Sequence, residues 1–278
     1  MAGSMEWAVD PVVGFLREIA PMAFVFGVLA LVLKRGAIVA ALGKCRNEAT
    51  TNLLLAATNA LIIGPLFLYP FLLLELGLST ISPIDSAMWD QVPAVVTVAL
   101  CVVFTDLPSY WRHRLQHMPQ LWRFHATHHS DTAIHWLTLQ RKHPVEKVMS
   151  MLIDLTLVIL MGMPVWAILL STLIRSWWGH FLHCDLPWTL GPIGKVLMSP
   201  AAHRLHHIRD EALMGYNYAN TITLWDKLFG TYRDPAPYLN CETGIAEGTR
   251  GFFGELIRPL ETGSDDLEST IVSEKAVS

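Results

Sequence analysis

From Val12 to Leu33 the chain reads VVGFLREIAPMAFVFGVLALVL, interrupted by Arg17 and Glu18 alone. Roughly 20 apolar residues in helical form cross a bilayer core, so this run by itself sets most soluble folds aside. The pattern recurs. A second run, about 51 to 76, contains LLLAATNALIIGPLFLYPFLLLEL, and a third covers roughly 92 to 108. Between about 145 and 180 lie VEKVMSMLIDLTLVIL and PVWAILLSTLIRSWWGH, parted at Met161-Gly162-Met163-Pro164, where the glycine and proline predict a tight turn and a hairpin. Charged residues make up only 16% of the 278, against about a quarter in soluble domains, and mean hydropathy is +0.38. With no sustained period-two alternation, the expected fold is an all-α integral membrane protein with four or five transmembrane helices. The hairpin could instead be re-entrant.

Basic residues orient those spans. Lys34, Arg35, Lys44 and Arg46 follow the first run, and Arg112, Arg114, Arg123, Arg141, Lys142 and Lys147 lie between the third and fourth, whereas 77–90 and 161–164 carry neither Lys nor Arg. By the positive-inside rule the segments between 109 and 147 face the cytoplasm and, with five crossings, the N-terminus lies outside. The start lacks a basic n-region and a small-residue cleavage site, so the first span is expected to be retained. Four cysteines without paired spacing do not suggest a disulfide framework. A net charge of -4 with no basic patch speaks against a nucleic-acid partner. The end from about 262, TGSDDLESTIVSEKAVS, has the composition of a disordered tail.

All twelve histidines fall between 113 and 207, and ten form four tight groups: YWRHRLQH, RFHATHHSD, WGHFLHCD and AAHRLHHIRD. Spacings of three and four bring side chains onto one helical face, so each group can aim its imidazoles at one point. A lone histidine on an apolar face is ordinarily structural. Four groups at ligand spacing call for a metal, and ten imidazoles exceed one ion's needs, so two metals at about four or five nitrogens each are expected. Imidazole suits iron, zinc, copper and nickel alike. A bis-histidine haem would leave the H-x-x-H-H triplets unexplained.

These groups resemble the membrane-bound di-iron fatty acid hydroxylase and sterol desaturase superfamily in order and spacing. The resemblance extends to DLPSYWRHRLQH, RKHP and NYANTITLWDKLFGTYRDP and covers roughly 95 to 235. It implies that His113, His117, His125, His128, His129, His180, His183, His203, His206 and His207 ligate two iron ions, under a cytoplasmic helical cap. It further implies O2 as co-substrate, a lipid substrate from the bilayer, and hydroxylation or desaturation of a C–H bond. No flavin fingerprint, haem attachment motif or ferredoxin-type cysteine set occurs, so electrons must come from a separate ferredoxin- or cytochrome-type donor with its reductase. The domain limits expected are 1–95 for N-terminal membrane helices, 96–235 for the catalytic part and 236–278 for a C-terminal extension. The membrane would be the inner membrane in a bacterium or the endoplasmic reticulum in a eukaryote.

Ligating histidines usually donate their second N–H to a carboxylate or carbonyl. Asp106, on one helical stripe with Tyr110, His113 and His117, is the leading candidate partner, and His143, ahead of Pro144, is another. Asp131, Asp185 and Asp210 also follow histidine groups, though caps or surface charges are the simpler reading. Asp154 and Arg175, inside apolar runs, are expected to pair with each other. Trp225, Leu228, Phe229 and Tyr232 are expected to pack the end of the cap. Two other readings remain open from residues alone. A transition-metal transporter or store would spread its ligands through the spans, and a zinc-dependent lipid hydrolase would want a glutamate base within a histidine group.

Overall fold

In the computed structural model, residues 11–261 are described; the acidic end from 262 and the first ten residues lie outside them. Among the described residues the chain is helical, with isolated bridges at Leu197–Ile222 and Ile208–Thr243 and no strands. The long elements are α1 (Pro11–Lys34), α2 (Ile38–Thr58), α3 (Gly64–Thr80), α4 (Ala94–Gln116) and α8 (Val165–Leu182). Shorter helices complete the chain: α5 (Pro119–His129), α6 (Pro144–Ile153), α7 (Thr156–Leu160), α9 (Pro200–His206), α10 (Glu211–Met214), α11 (Leu224–Leu228) and α12 (Gly251–Glu261).

The apolar N-terminal third folds as its residues dictate. Arg35 takes φ +46, a left-handed conformation that ends α1, and α1 then packs on α2 and α8. The chain runs on from α2 through a single π-turn, Asn59–Ile63, into α3. α3 buries none of its side chains against protein, and Leu66, Leu68, Tyr69, Leu72, Leu73 and Leu76 are all exposed. A soluble monomer rarely leaves so large an apolar face open. Two stretches, Pro11–Thr80 and Ala94–Gln116, are long and apolar enough to cross a membrane. α6, α7 and α8 form a shorter hairpin, broken after Ile153 and reversed at 161–164. Gly162 there sits at φ +59 with the Ile84 carbonyl 2.6 Å from where a Cβ would be, so only glycine fits the turn.

α4 is the central post, packed against α5, α6, α7 and α8. Its buried residues Thr97, Cys101, Thr105, Ser109, Arg112 and Gln116 recur every three or four positions, the spacing of one helix face. Beyond the end of α4 the cap begins. Tyr110, Leu182, Met198, Ala202, Tyr218 and Ala219 form its core, with Trp178, Trp225 and Phe229 packed against it. Leu228 departs from expectation: it is 63% exposed, because the short α11 presents Trp225 and Phe229 inward and turns Leu228 outward.

A buried charge cluster ties the cap to the long helices. The Arg141 guanidinium, wholly buried, donates to Glu48 of α2 (2.7 Å), Glu255 of α12 (3.0 Å), Asn52 (3.0 Å) and Ser130 (2.7 Å). The arginine of RKHP is therefore an anchor. His143 and Pro144 start α6 as cap and first helical residue, the position where proline's missing N–H costs nothing.

Candidate metal centre

Four helices end at one point. α4 brings His113 and, as its C-cap, His117; α5 closes on His125, His128 and His129; α8 is C-capped by His183; and α9 carries His203 and His206 and is capped by His207. The ligand atoms fall into two sets, each with all members within 4.8 Å of one another: His113, His117, His125, His129 and His206, and His128, His183, His203 and His207. The sets adjoin, with His129 and His207 stacked at 4.5 Å between ring centroids. Each triplet is divided between them.

Backbone carbonyls fix the tautomers. Nδ1 of His113 lies 2.6 Å from the Tyr218 carbonyl, that of His206 2.8 Å from Tyr216, that of His183 2.7 Å from Gly179, and that of His128 3.1 Å from Arg141. A carbonyl only accepts, so each Nδ1 carries the proton and each Nε2 keeps a lone pair. In the first set the Nε2 atoms of His113, His117, His125, His129 and His206 are buried with no hydrogen-bond partner. In the second, His183 Nε2 lies 3.3 Å from His128 Nε2 and 3.0 Å from His203 Nε2, three ring nitrogens of which only that of His203 could carry a proton. Buried polar atoms left in this state are costly, and cations lying among them would satisfy them all. The donor set therefore fits a pair of imidazole-preferring metal ions such as iron.

Electrostatics agree with geometry. Burial, offset in part by the Tyr216 carbonyl, holds His206 at about 3, and burial holds His183 at about 3 despite the Gly179 carbonyl. Burial and then neighbouring imidazoles keep His128, His129, His203 and His207 well below the ordinary histidine range. All six are neutral at pH 7, as ligands must be.

Not every expected residue joins the sets. His180 is buried but stands outside both, donating from Nδ1 to the Trp136 carbonyl (2.7 Å) with Nε2 3.3 Å from Gln140. Asp106 touches no imidazole. It accepts from Thr221 N and Ile222 N (3.1 Å each) and from Arg175 (3.1 Å), so it pins the segment whose Tyr218 carbonyl holds His113. His143 accepts from Val145 N, and its Nε2 lies 3.2 Å from the Leu256 carbonyl, away from both sets. The expected Asp154–Arg175 pair is not formed: Asp154 takes a two-point contact from Arg112 (2.6 and 3.0 Å), and Arg175 goes to Asp106. Asp131 binds Asn52 and Thr138, Asp185 pairs with Lys34 and Arg204, and Asp210 caps α10.

Sequence reasoning missed Glu146, buried in α6 with Oε2 3.3 Å from His125 Nδ1. Its position three residues after His143 in HPVEK was the available signal. The four carbonyl partners had none, since any residue supplies a carbonyl. A cavity of about 440 Å³ reaches His113, His125, His128, His183 and His203 from between α3, α4, α6 and α8.

Comparison with known proteins points the same way as that geometry. Residues 98–231 match the fatty acid hydroxylase family, and all four histidine groups lie inside them. Over that stretch, a little under half of its length, the chain is similar to the fatty acid hydroxylase and sterol desaturase superfamily. Among its relatives, the ornithine lipid hydroxylase OlsE of Rhizobium tropici is 30% identical over 63% of this chain and 54% of that protein. Human alkylglycerol monooxygenase is 32% identical over 46% of this chain and 28% of its own length. The Delta(7)-sterol 5(6)-desaturase ERG3 of Candida albicans is 26% identical over 77% and 55%. The chain thus spans about half or less of these relatives. No solved structure gives a significant match.

Proposed function

We propose that this protein is a member of that superfamily, a membrane-bound di-iron oxygenase that uses O2 and electrons from a separate donor to hydroxylate or desaturate a lipid C–H bond. The observation that carries this reading is the pair of buried imidazole sets, in each of which the ligand nitrogens lie within 4.8 Å of one another, all five Nε2 atoms of the first set being without a hydrogen-bond partner. His113, His117, His125, His129 and His206 would hold one iron, and His128, His183, His203 and His207 the other. His180 would instead fasten the Trp136–Gln140 turn against α8. The irons, when bound and reduced, supply the oxidising power toward an unactivated C–H bond.

The chain's own residues do the rest. The carbonyls of Tyr218, Tyr216, Gly179 and Arg141 hold the Nδ1 protons, so each ring presents Nε2 inward. Glu146, whose Oε2 lies 3.3 Å from His125 Nδ1, would do the equivalent for His125 once the ring turns to meet it. Asp106 keeps residues 221–222, and hence the Tyr218 carbonyl, in register. The capped, buried setting keeps water from the reacting carbon, while the cavity between α3, α4, α6 and α8 gives a lipid a way in. On this reading the protein spans the membrane four or five times with the cap in the cytoplasm. Residues 1–95 supply membrane helices, 96–235 the catalytic part, and 236–278 an extension whose α12 braces the cap. The relatives' names, a lipid hydroxylase, an alkylglycerol monooxygenase and a sterol desaturase, support a lipid substrate.

The test is to express the full chain in membranes, quantify bound metals and profile lipids under labelled O2, with and without His128→Ala. Iron in the wild type and a labelled hydroxyl or a new double bond that disappears in the variant is the expected result. Zinc as the bound metal with lipid hydrolysis, or a change in cellular metal content with no oxidised lipid, would overturn it.

A further inference from the structure

The cavity beside the histidines is not a greasy slot. Its wall carries Arg112, Lys142, Lys147 and Arg175. The two arginines are neutralised by Asp154 and Asp106. Among the described residues, neither Lys142 nor Lys147 has a carboxylate at ion-pair distance. The other acidic residues on the wall are Glu146, 3.3 Å from His125 Nδ1 and acting on Lys142 through space without an ion pair to it, and Glu18, exposed on α1. Burial and the nearby Arg112 bring Lys142 down to about 8, so it is still charged at pH 7.

Position strengthens the point. Arg112 lies one turn from the end of α4, Arg175 about two turns from the end of α8, Lys142 just ahead of α6 and Lys147 in its first turn. At 1.5 Å per residue the basic wall occupies the last ~10 Å beside the cap, close to the depth of a bilayer's polar interface, roughly 5–8 Å on each side. Farther in, the wall turns to Phe71, Met151 and Leu155. Two half-buried ammonium groups beside a metal site, with an apolar wall behind them, match an amphiphile whose anionic oxygens meet the lysines and whose chain extends toward the bilayer.

Resting on the oxygenase reading above, we infer that the substrate is a lipid with an anionic headgroup, carboxylate or phosphate, held by Lys142 and Lys147, and that oxidation falls on carbons near that polar end. The five histidines and both lysines border one cavity of about 440 Å³, within the usual ~300–1,000 Å³ of ligand pockets. An anchored headgroup therefore leaves its neighbouring carbons, not the chain terminus, nearest the metals.

The experiment measures equilibrium binding of four probes to metal-loaded full chain in lipid nanodiscs: a carboxylate-headed lipid, a phosphate-headed lipid, an uncharged alkylglycerol and a sterol. One anionic class is expected to bind at least tenfold more tightly than the uncharged probes. Lys142→Gln/Lys147→Gln should abolish that preference with metal content unchanged, and Lys142→Arg/Lys147→Arg should restore it. The preferred anion tells carboxylate from phosphate. Equal binding of uncharged probes, or a preference indifferent to the lysines, overturns the inference, as does labelled oxygen found in the distal half of a chain. Lysine-dependent binding with no oxidised product from any probe would leave the headgroup site standing and sink the oxygenase reading instead.

Discussion

Arg141→Met is the most informative single change outside the histidines. The guanidinium is fully buried between two carboxylates, but the two are not equally dependent on it. Glu255 also has Arg258 at 2.7 Å, whereas Glu48, 4% exposed, would keep only the hydroxyls of Thr132 and Thr249. Methionine therefore strands one buried charge, that of Glu48. Removing one partner of a buried pair costs about 3–5 kcal/mol, and at roughly 2–4 °C per kcal/mol for a chain of this size the melting temperature should fall by some 6–20 °C. Adding Glu48→Gln removes the stranded charge and should recover at least ~1 kcal/mol. Glu48→Gln alone should cost less than Arg141→Met, since Arg141 would still meet Glu255. The same residue's carbonyl holds His128, so Arg141→Met should also weaken metal retention in the His128 set. Thermal melts of the four proteins of this cycle, with metal content measured alongside, test the argument. A single variant that melts with the wild type, or a double variant as weak as the sum of the singles, would refute it.

Other outcomes follow from the same contacts. His180→Ala should keep both metals, whereas His128→Ala should lose the ion of its own set; elemental analysis decides, and equal losses would return His180 to the ligand list. Exchanging charges, Arg112→Asp with Asp154→Arg, should recover part of the ~3–5 kcal/mol lost in either single change, while exchanging Asp154 with Arg175 should not; melting curves separate the two. In the metal-free protein, His183 and His206 have folded values of about 3 against an ordinary 6.5. Their contribution is therefore complete above pH 6.5 and is lost as pH falls toward 3. At pH 5.5 the two together should have cost about 3 kcal/mol. A metal-stripped melting temperature unchanged between pH 7.5 and 5.5 would contradict this.

The helical character and the two stretches apolar enough to cross a membrane were legible because composition and long apolar runs report them directly, and the turn at 161–164 because Gly and Pro mark it. The ion pairs were not. Two acids and two arginines on three neighbouring helices admit more than one pairing, and the choice depends on which neighbour flanks which side of α4. Asp106 and Arg112, six residues apart, project roughly 120° from each other around that helix. One therefore reaches α8 and the other the α6–α7 side. Direct partnership of Asp106 with a histidine failed for a related reason: sharing a helical stripe with His113 fixes direction, but the segment 217–222 crosses at that depth and claims the carboxylate with its own N–H groups.

The division of the triplets, by contrast, follows from helical geometry once two sets are known to exist. Residues four apart differ by about 40° around a helix, and residues three apart by about 60° in the opposite sense. In each case the i, i+4 pair stays together: His113 with His117, His125 with His129, His203 with His207. The i+3 member of each triplet, His128 or His206, rotates into the other set. Because α5 contributes its pair to the first set and α9 contributes its pair to the second, each triplet gives two rings to one set and one to its neighbour. The two triplets are thus the elements common to both sets, and displacing either α5 or α9 should disturb the sets together. The isolated i, i+3 group, His180 and His183, obeys the same rule: the two point apart, and only His183 reaches a set.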